Sequence, residues 1–255
     1  RSPAYVKLGR WRWPALGFCA LVVLVALIMP VSILSYWLVR GFSAGEALWQ
    51  TAGYALNSAY VSGLAAVVTA IAAISIAVLD VRYPSLLSRM LERITYIGFA
   101  LPGIVIALAL VFFGANYATP VYQTLVLLVF AYAVLFLPQT VGSVRSSLLQ
   151  VSPRLEEAAR SLGRTPLQTL AAVTLPLVRP GILAGAGLVF LTTMKELPAT
   201  LLLSPIGFKT LATSIWSATS EGSFARAALP AVVLILLSSV PMAVLTIRGK
   251  RKSNE

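Results

Sequence analysis

Glu156-Glu157-Ala158-Ala159-Arg160-Ser161-Leu162-Gly163, followed after nine residues by Val173-Thr174-Leu175-Pro176, is the polar stretch of this chain that carries the marks of defined structure. Ser152 stands where a helix N-cap is expected, Pro153 suits a first helical position, and Glu156 falls in the first turn, where the helix dipole favours an anion. Gly163 is placed to end that helix. A second short helix is expected from Thr165 as cap and Pro166 at its first position, with Leu175-Pro176 closing it before an apolar run is entered at Pro180-Gly181. On chemistry alone the stretch reads equally as a solvated loop with two capped turns. The two readings stay open until its surroundings and the spacing of its motif are read.

Those surroundings are apolar. The chain has 255 residues, 58% hydrophobic and 11% charged, with a mean hydropathy of +0.88. Soluble domains run at about 45–50% apolar and about 25% charged, so disorder, a disulfide scaffold and an ordinary soluble enzyme are all disfavoured. Cys19 is the single cysteine and has no partner for an internal disulfide. Histidine is absent, which removes the usual metal ligand and the usual neutral-pH acid or base. Six apolar runs are long enough to cross about 30 Å of hydrocarbon as helices: 16–39, 52–79, 94–114, 122–141, 181–203 and 227–247. Pro30, Pro102, Pro138 and Pro241 fall in or near these runs, which membrane helices tolerate.

The net charge of +12 suggests a nucleic-acid partner at first sight, but the basic residues collect between apolar runs rather than on a folded surface. With the N-terminus inside, the inner segments hold Arg1, Lys7, Arg10 and Arg12; Arg82, Arg89 and Arg93; Arg145, Arg154, Arg160, Arg164 and Arg179; and Arg248, Lys250, Arg251 and Lys252. The outer segments hold only Arg40, Lys209 and Arg226. That bias of 16 to 3 follows the positive-inside rule and places both termini in the cytoplasm. The quoted stretch then lies in a cytoplasmic loop, about 142–180.

Two runs carry small residues at helical spacing. Ser58, Ser62, Ala66 and Ala70 form one row, with Ala55, Ala59 and Gly63 beside it, and Gly181 and Gly185 open the fifth run. In lipid, small residues allow close backbone approach, so both faces are expected to pack against neighbouring helices of the same bundle.

Glu-Ala-Ala, three residues, Gly, nine residues, an aliphatic, one residue, Leu-Pro resembles the cytoplasmic loop signature of type I ABC importer permeases, and it sits, as there, before the penultimate span of a six-span unit. The resemblance implies an all-α membrane protein of six transmembrane helices in the bacterial inner membrane. It also implies that the loop forms a coupling helix docking on a separate ATPase subunit, with Glu157, Ala158, Ala159 and Gly163 making the contact and Leu175 and Pro176 fixing the exit. ATP and Mg would be bound by that partner, and no cofactor or metal site is expected in this chain. The other implied partners are a second permease half, an extracytoplasmic solute-binding protein and membrane lipid, not nucleic acid. Met194-Lys195-Glu196-Leu197-Pro198-Ala199-Thr200, with Gly207-Phe208-Lys209-Thr210-Leu211-Ala212 downstream, looks more narrowly like ferric-iron importer permeases. Two units are often fused in those, and the linker-like 1–15 together with the missing Met agrees with a second unit, leaving 16–247 as the transmembrane domain and 248–255 as a basic tail. Thiamine, polyamine and phosphonate importers are related alternatives.

Lys195 and Glu196 lie within the fifth run, about 22 Å along it for Glu196. A charge at that depth costs about 2.5–3.5 kcal/mol unless it meets water or a partner. Pro198 disfavours helix at Leu197, so a break is expected there, with Glu196 either lining the pathway or anchoring freed backbone. Asn57 and Gln123 are weaker pathway candidates. The segment 204–224 reads as an interfacial amphipathic helix from the steps Phe208, Leu211 and Ile215. An intramembrane enzyme is opposed by the lack of a shared polar cluster, and an ion-coupled secondary transporter by the scarcity of buried ionisable residues. No phosphate-cradling G-x-x-x-x-G-K-[ST] loop is present, so ATP hydrolysis is expected elsewhere.

Overall fold

The computed structural model describes residues 9–43 and 49–253, without the side chains of 43, 49 and 240–253. Among these residues the chain is helical with no strand. Helix α1 spans Gly9–Phe42, α2 Trp49–Arg82, α3 Leu86–Ala100, α4 Gly103–Tyr117 and α5 Leu125–Leu149. Then come α6 Pro153–Ser161, α7 Pro166–Met194, α8 Pro198–Leu203, α9 Leu211–Ser220 and α10 Phe224–Ser253.

Helices α1, α2, α5 and α7 are each long and apolar enough to cross a membrane. The expected third span, 94–114, is not one helix. Pro102 pushes Leu101 into extended backbone (φ −99°, ψ 137°), and α3 and α4 meet at 106°. The expected sixth, 227–247, lies inside α10, whose described apolar part is the shorter Phe224–Ser239. The expected linker at 1–15 lies outside the described residues up to residue 8, and α1 already occupies the rest of it, while α10 runs on to Ser253 through most of the expected tail.

The largest revision concerns the loop at 142–180. Helix α5 continues to Leu149 and α7 begins at Pro166, so Leu175-Pro176 closes nothing. A proline lacks an N–H and its ring clashes with the carbonyl four residues back, in this case Ala172. The helix meets this by widening to π geometry over Leu170–Thr174 and then continues. The same device precedes Pro30, with a π segment at Leu24–Ile28.

The core lies where α2, α5 and α7 pack together, with α4 and α8 against one end. Val61, Ala65, Leu128, Ala131, Tyr132, Val189 and Leu203 are buried there. On α2 the buried line runs Val61, Ala65, Thr69, Ala73 and Ala77. Of the expected row, Ser58, Ser62 and Ala66 are buried and Ala70 is half-buried, while Ala55, Ala59 and Gly63 lie on the flank. Gly181 and Gly185 seat α7 directly on α5: a Cβ at Gly185 would lie 2.8 Å from Thr140 Cα, and one at Gly181 2.7 Å from the Ser143 carbonyl oxygen. The glycine seam is therefore intramolecular, as expected. By contrast α1 exposes apolar side chains along its length and touches the rest near its end, where Trp37 packs on Phe224 of α10. Such a surface suits hydrocarbon, not water.

Candidate coupling and pathway sites

Helix α6 forms where the sequence places it, with the expected residues at both ends. Pro153 takes the first position, while Ser152 stands at the N-cap without a side-chain hydrogen bond. At the other end Gly163 adopts φ +87°, its N–H donates to the Arg160 carbonyl (2.9 Å), and the Arg164 N–H donates to the Ala159 carbonyl (3.2 Å). These two bonds close the helix as a Schellman motif, which requires the left-handed residue glycine supplies. Thr165 and Gln168 then cap α7 reciprocally.

Side chains of α6 divide into two faces. Glu157 and Ala158 are exposed, whereas Ala159 is buried against the chain itself, so only half of the expected alanine face is open to a partner. Leu155 and Leu162 join Ala158 on the open side, with Leu162 85% exposed. Their spacing, i, i+3 and i+7, is a helical stripe that the sequence reading passed over. Glu156, assigned above only to the helix dipole, is buried in an ion pair. Arg82 Nε lies 3.0 and 3.1 Å from its two carboxylate oxygens, and Thr174 Oγ1 donates to Oε1 (3.0 Å). Leu175 is half-buried and Pro176 exposed, both inside α7.

The second site is the break in α7. Residues 195–197 leave the helix and α8 restarts at Pro198, as the Leu197-Pro198 pair predicts. Glu196 turns its carboxylate onto the restarted helix, accepting from the Ala199 N–H, the Thr200 N–H and Thr200 Oγ1, each at 3.1 Å. Thr200 Oγ1 in turn lies 2.6 Å from the Tyr132 hydroxyl in the core. Glu196 also faces the start of α4, where a Cβ on Gly103 would lie 3.6 Å from Oε1. Two helix N-termini thus meet one half-buried carboxylate, an arrangement their dipoles favour. Lys195 is exposed.

Asn57 does not stand free in a pathway: its Nδ2 donates to the Lys209 carbonyl (2.9 Å), and the neighbouring Ser58 Oγ accepts from the Leu211 N–H (2.8 Å). Together they tie the start of α9 to α2. Gln123 sits in a turn at φ +53°. The expected amphipathic helix at 204–224 is shorter than its pattern, beginning at Leu211 on the Thr210 capping box, so Phe208 lies outside it and packs on the core.

The sequence reading also missed a polar groove. Gln139, Ser143 and Ser146 recur along one face of α5 and, with Gln150 at its C-cap, Tyr96 of α3 and Gly181 of α7, line an open depression. Amides and hydroxyls on the surface of a spanning helix are costly against lipid and suit water or another protein surface.

A continuous apolar bundle, a break between α7 and α8 and a short helix slung across one end describe a multi-pass helical membrane protein. Residues 65–254 match the model of the binding-protein-dependent transport system inner membrane component family, and the chain belongs to that family. It is 39% identical over 229 residues to the Fe(3+)-transport system permease protein FbpB 2 of Haemophilus influenzae, an alignment covering 89% of this chain and 45% of that protein. The chain thus spans less than half the length of that relative. A solved structure of the MetNI methionine ABC transporter in inward-facing form aligns with a TM-score of 0.60 at 21% identity, covering 85% of this chain and 96% of that one. A crystal structure of an amino acid ABC transporter with histidines aligns with a TM-score of 0.53 at 17% identity, covering 89% and 97%. Both alignments show the fold.

Proposed function

We propose that this chain is one permease half of an ATP-driven ferric-iron importer, working with a second half, a pair of ATPase subunits that bind ATP and Mg, and an extracytoplasmic binding protein. The observation that carries the reading is α6: a short helix anchored by its buried side at one end of the bundle, with Glu157, Ala158, Leu155 and Leu162 left open. An apolar stripe with one carboxylate beside it suits insertion into a cleft on another protein. The chain does not itself hydrolyse ATP. Its role is to convert movement of α6 into rearrangement of α2, α5 and α7, along which the solute passes beside the groove of Gln139, Ser143 and Gln150. Similarity to the Haemophilus ferric-iron permease over most of the chain supports iron as the solute.

The excess of Arg and Lys in the segments on the α6 side supports a cytoplasmic position for that end of the bundle and for both termini, on the side where ATPase subunits would dock.

Gly163 supplies the test. Nothing lies within 4 Å of a Cβ at this position, so a side chain meets no clash inside the chain, and only the left-handed backbone opposes it. Valine in that conformation costs roughly 1–2 kcal/mol, whereas asparagine tolerates it. Gly163→Val is expected to leave an inserted permease that loses its ATPase subunit or its iron-stimulated hydrolysis, with Gly163→Asn close to wild type. Pull-down of the ATPase and ATP turnover report both. Normal association and coupling in the valine variant would remove the docking assignment.

A further inference from the structure

The grip on α6 has a geometry that a simple staple would not need. Arg82 is the last residue of α2, and its guanidinium holds three elements at once. Nε serves both oxygens of Glu156 on α6, while Nη2 donates to the Val151 carbonyl (2.9 Å) and the Leu148 carbonyl (3.4 Å) at the end of α5. Glu156 passes the connection on, since Thr174 Oγ1 donates to it from the last residue of the π turn in α7. Both charged side chains are nearly buried, at 11% and 9% exposure, so water cannot replace these bonds without the elements separating. Next to this pair, Arg160 of α6 donates to the Tyr83 hydroxyl (3.1 Å), directly beyond α2.

A planar guanidinium whose Nε and Nη2 serve different elements is pre-organised to hold both in one orientation. If α6 shifts, the ends of α2 and α5 and the wide turn of α7 must shift with it, or the pair must break. π turns are places where helices kink, and they are frequent at functional sites. The Thr174 bond therefore acts on the part of α7 best able to bend, below the glycine seam and the break at Glu196.

We propose that Arg82 and Glu156 are positioning residues that carry displacement of α6 onto α2, α5 and the π turn of α7. The inference rests on the reading of α6 as the docking helix. Neither residue belongs to the open face of α6, so the two functions separate by mutation. Glu156→Gln removes the charge and keeps the shape, Arg82→Lys replaces the two separate donors Nε and Nη2 by one ammonium, and Thr174→Val cuts only the branch to α7.

Each variant is prepared as the full chain. Hydrogen exchange at the amides of 154–162 is measured on the chain alone in detergent. ATP turnover is measured in lipid nanodiscs with the ATPase subunit, with and without binding protein loaded with ferric iron. Glu156→Gln and Arg82→Lys are expected to exchange about tenfold faster over α6, to retain the ATPase subunit and to lose the ferric stimulation of turnover while basal turnover persists. Thr174→Val is expected to keep slow exchange yet lose most of the stimulation, a result that a purely structural pair would not produce. Wild-type stimulation in Thr174→Val, or unchanged exchange in Glu156→Gln, overturns the inference. Should Glu156→Gln fail to fold, Thr174→Val decides alone. Failure of the wild-type chain to bind the ATPase subunit would instead sink the docking reading, and the exchange measurement would still show whether the pair holds α6.

Discussion

Replacing Gly185 by alanine tests whether the α5–α7 seam holds the bundle together. The added Cβ would lie 2.8 Å from Thr140 Cα, 2.9 Å from Thr140 Cγ2 and 3.2 Å from Ser143 Cβ. Carbon atoms rest at about 3.5–4.0 Å, so α7 has to withdraw by roughly 1 Å. The nearest atom is backbone, and no side-chain rotation relieves it. Overpacking of this kind costs about 1–3 kcal/mol. Against it stands the better helix propensity of alanine, about 1 kcal/mol. Gly63→Ala isolates that second effect, because Gly63 lies in α2 with nothing within 4 Å of its Cβ. The two variants should therefore differ by about 1–3 kcal/mol, with Gly185→Ala the less stable. At about 2–4 °C per kcal/mol for a chain of this size, their melting temperatures should separate by roughly 2–12 °C. Thermal denaturation of the purified chain in one detergent, followed by tryptophan fluorescence, measures it. Equal melting temperatures would refute the close approach, and a change in oligomer size without loss of stability would move the seam to a contact between copies.

Three more outcomes are expected. Ser58→Ala leaves the buried Leu211 N–H without its acceptor, at a cost of about 1–3 kcal/mol, and should open 204–210 to proteolysis before the bundle unfolds; unchanged protease resistance would show that this bond does not hold α9. Glu196→Gln keeps one oxygen to accept from the start of α8, so the chain should assemble with its ATPase while iron uptake in membrane vesicles falls; normal uptake would leave Glu196 as a cap and nothing more. A reporter active only in the periplasm, fused after Glu255, should be silent, and activity there would overturn the cytoplasmic placement of the termini.

How much was legible varied from element to element for physical reasons. Apolar runs report burial in hydrocarbon directly, because each residue contributes on its own and no partner need be known. The break at Lys195–Leu197 and the turn at Gly163 were legible for a similar reason: proline and glycine act on their own backbone. Glu156 was placed correctly in the first turn of its helix, but its ion pair was not legible, because Arg82 lies 74 positions away and no local pattern marks a pair between the ends of two distant helices. Leu175-Pro176 was misjudged as a helix end. A proline that ends an isolated helix can be absorbed by a π turn when neighbouring helices hold the chain on course.

Hydropathy, punctuation by Pro and Gly, and the distribution of Arg and Lys thus determined the class of protein, the approximate spans and the position of α6. Tertiary structure alone decided which face of α6 is open, that α3 and α4 turn through 106°, that Asn57 and Ser58 tether α9, and that polar groups on α5 gather in one groove. The division follows from range. Composition and backbone chemistry act over a few residues and are written in order along the chain, whereas hydrogen bonds and close packing depend on which distant residues the bundle brings within 3–4 Å, a distance fixed only when every helix has been seated.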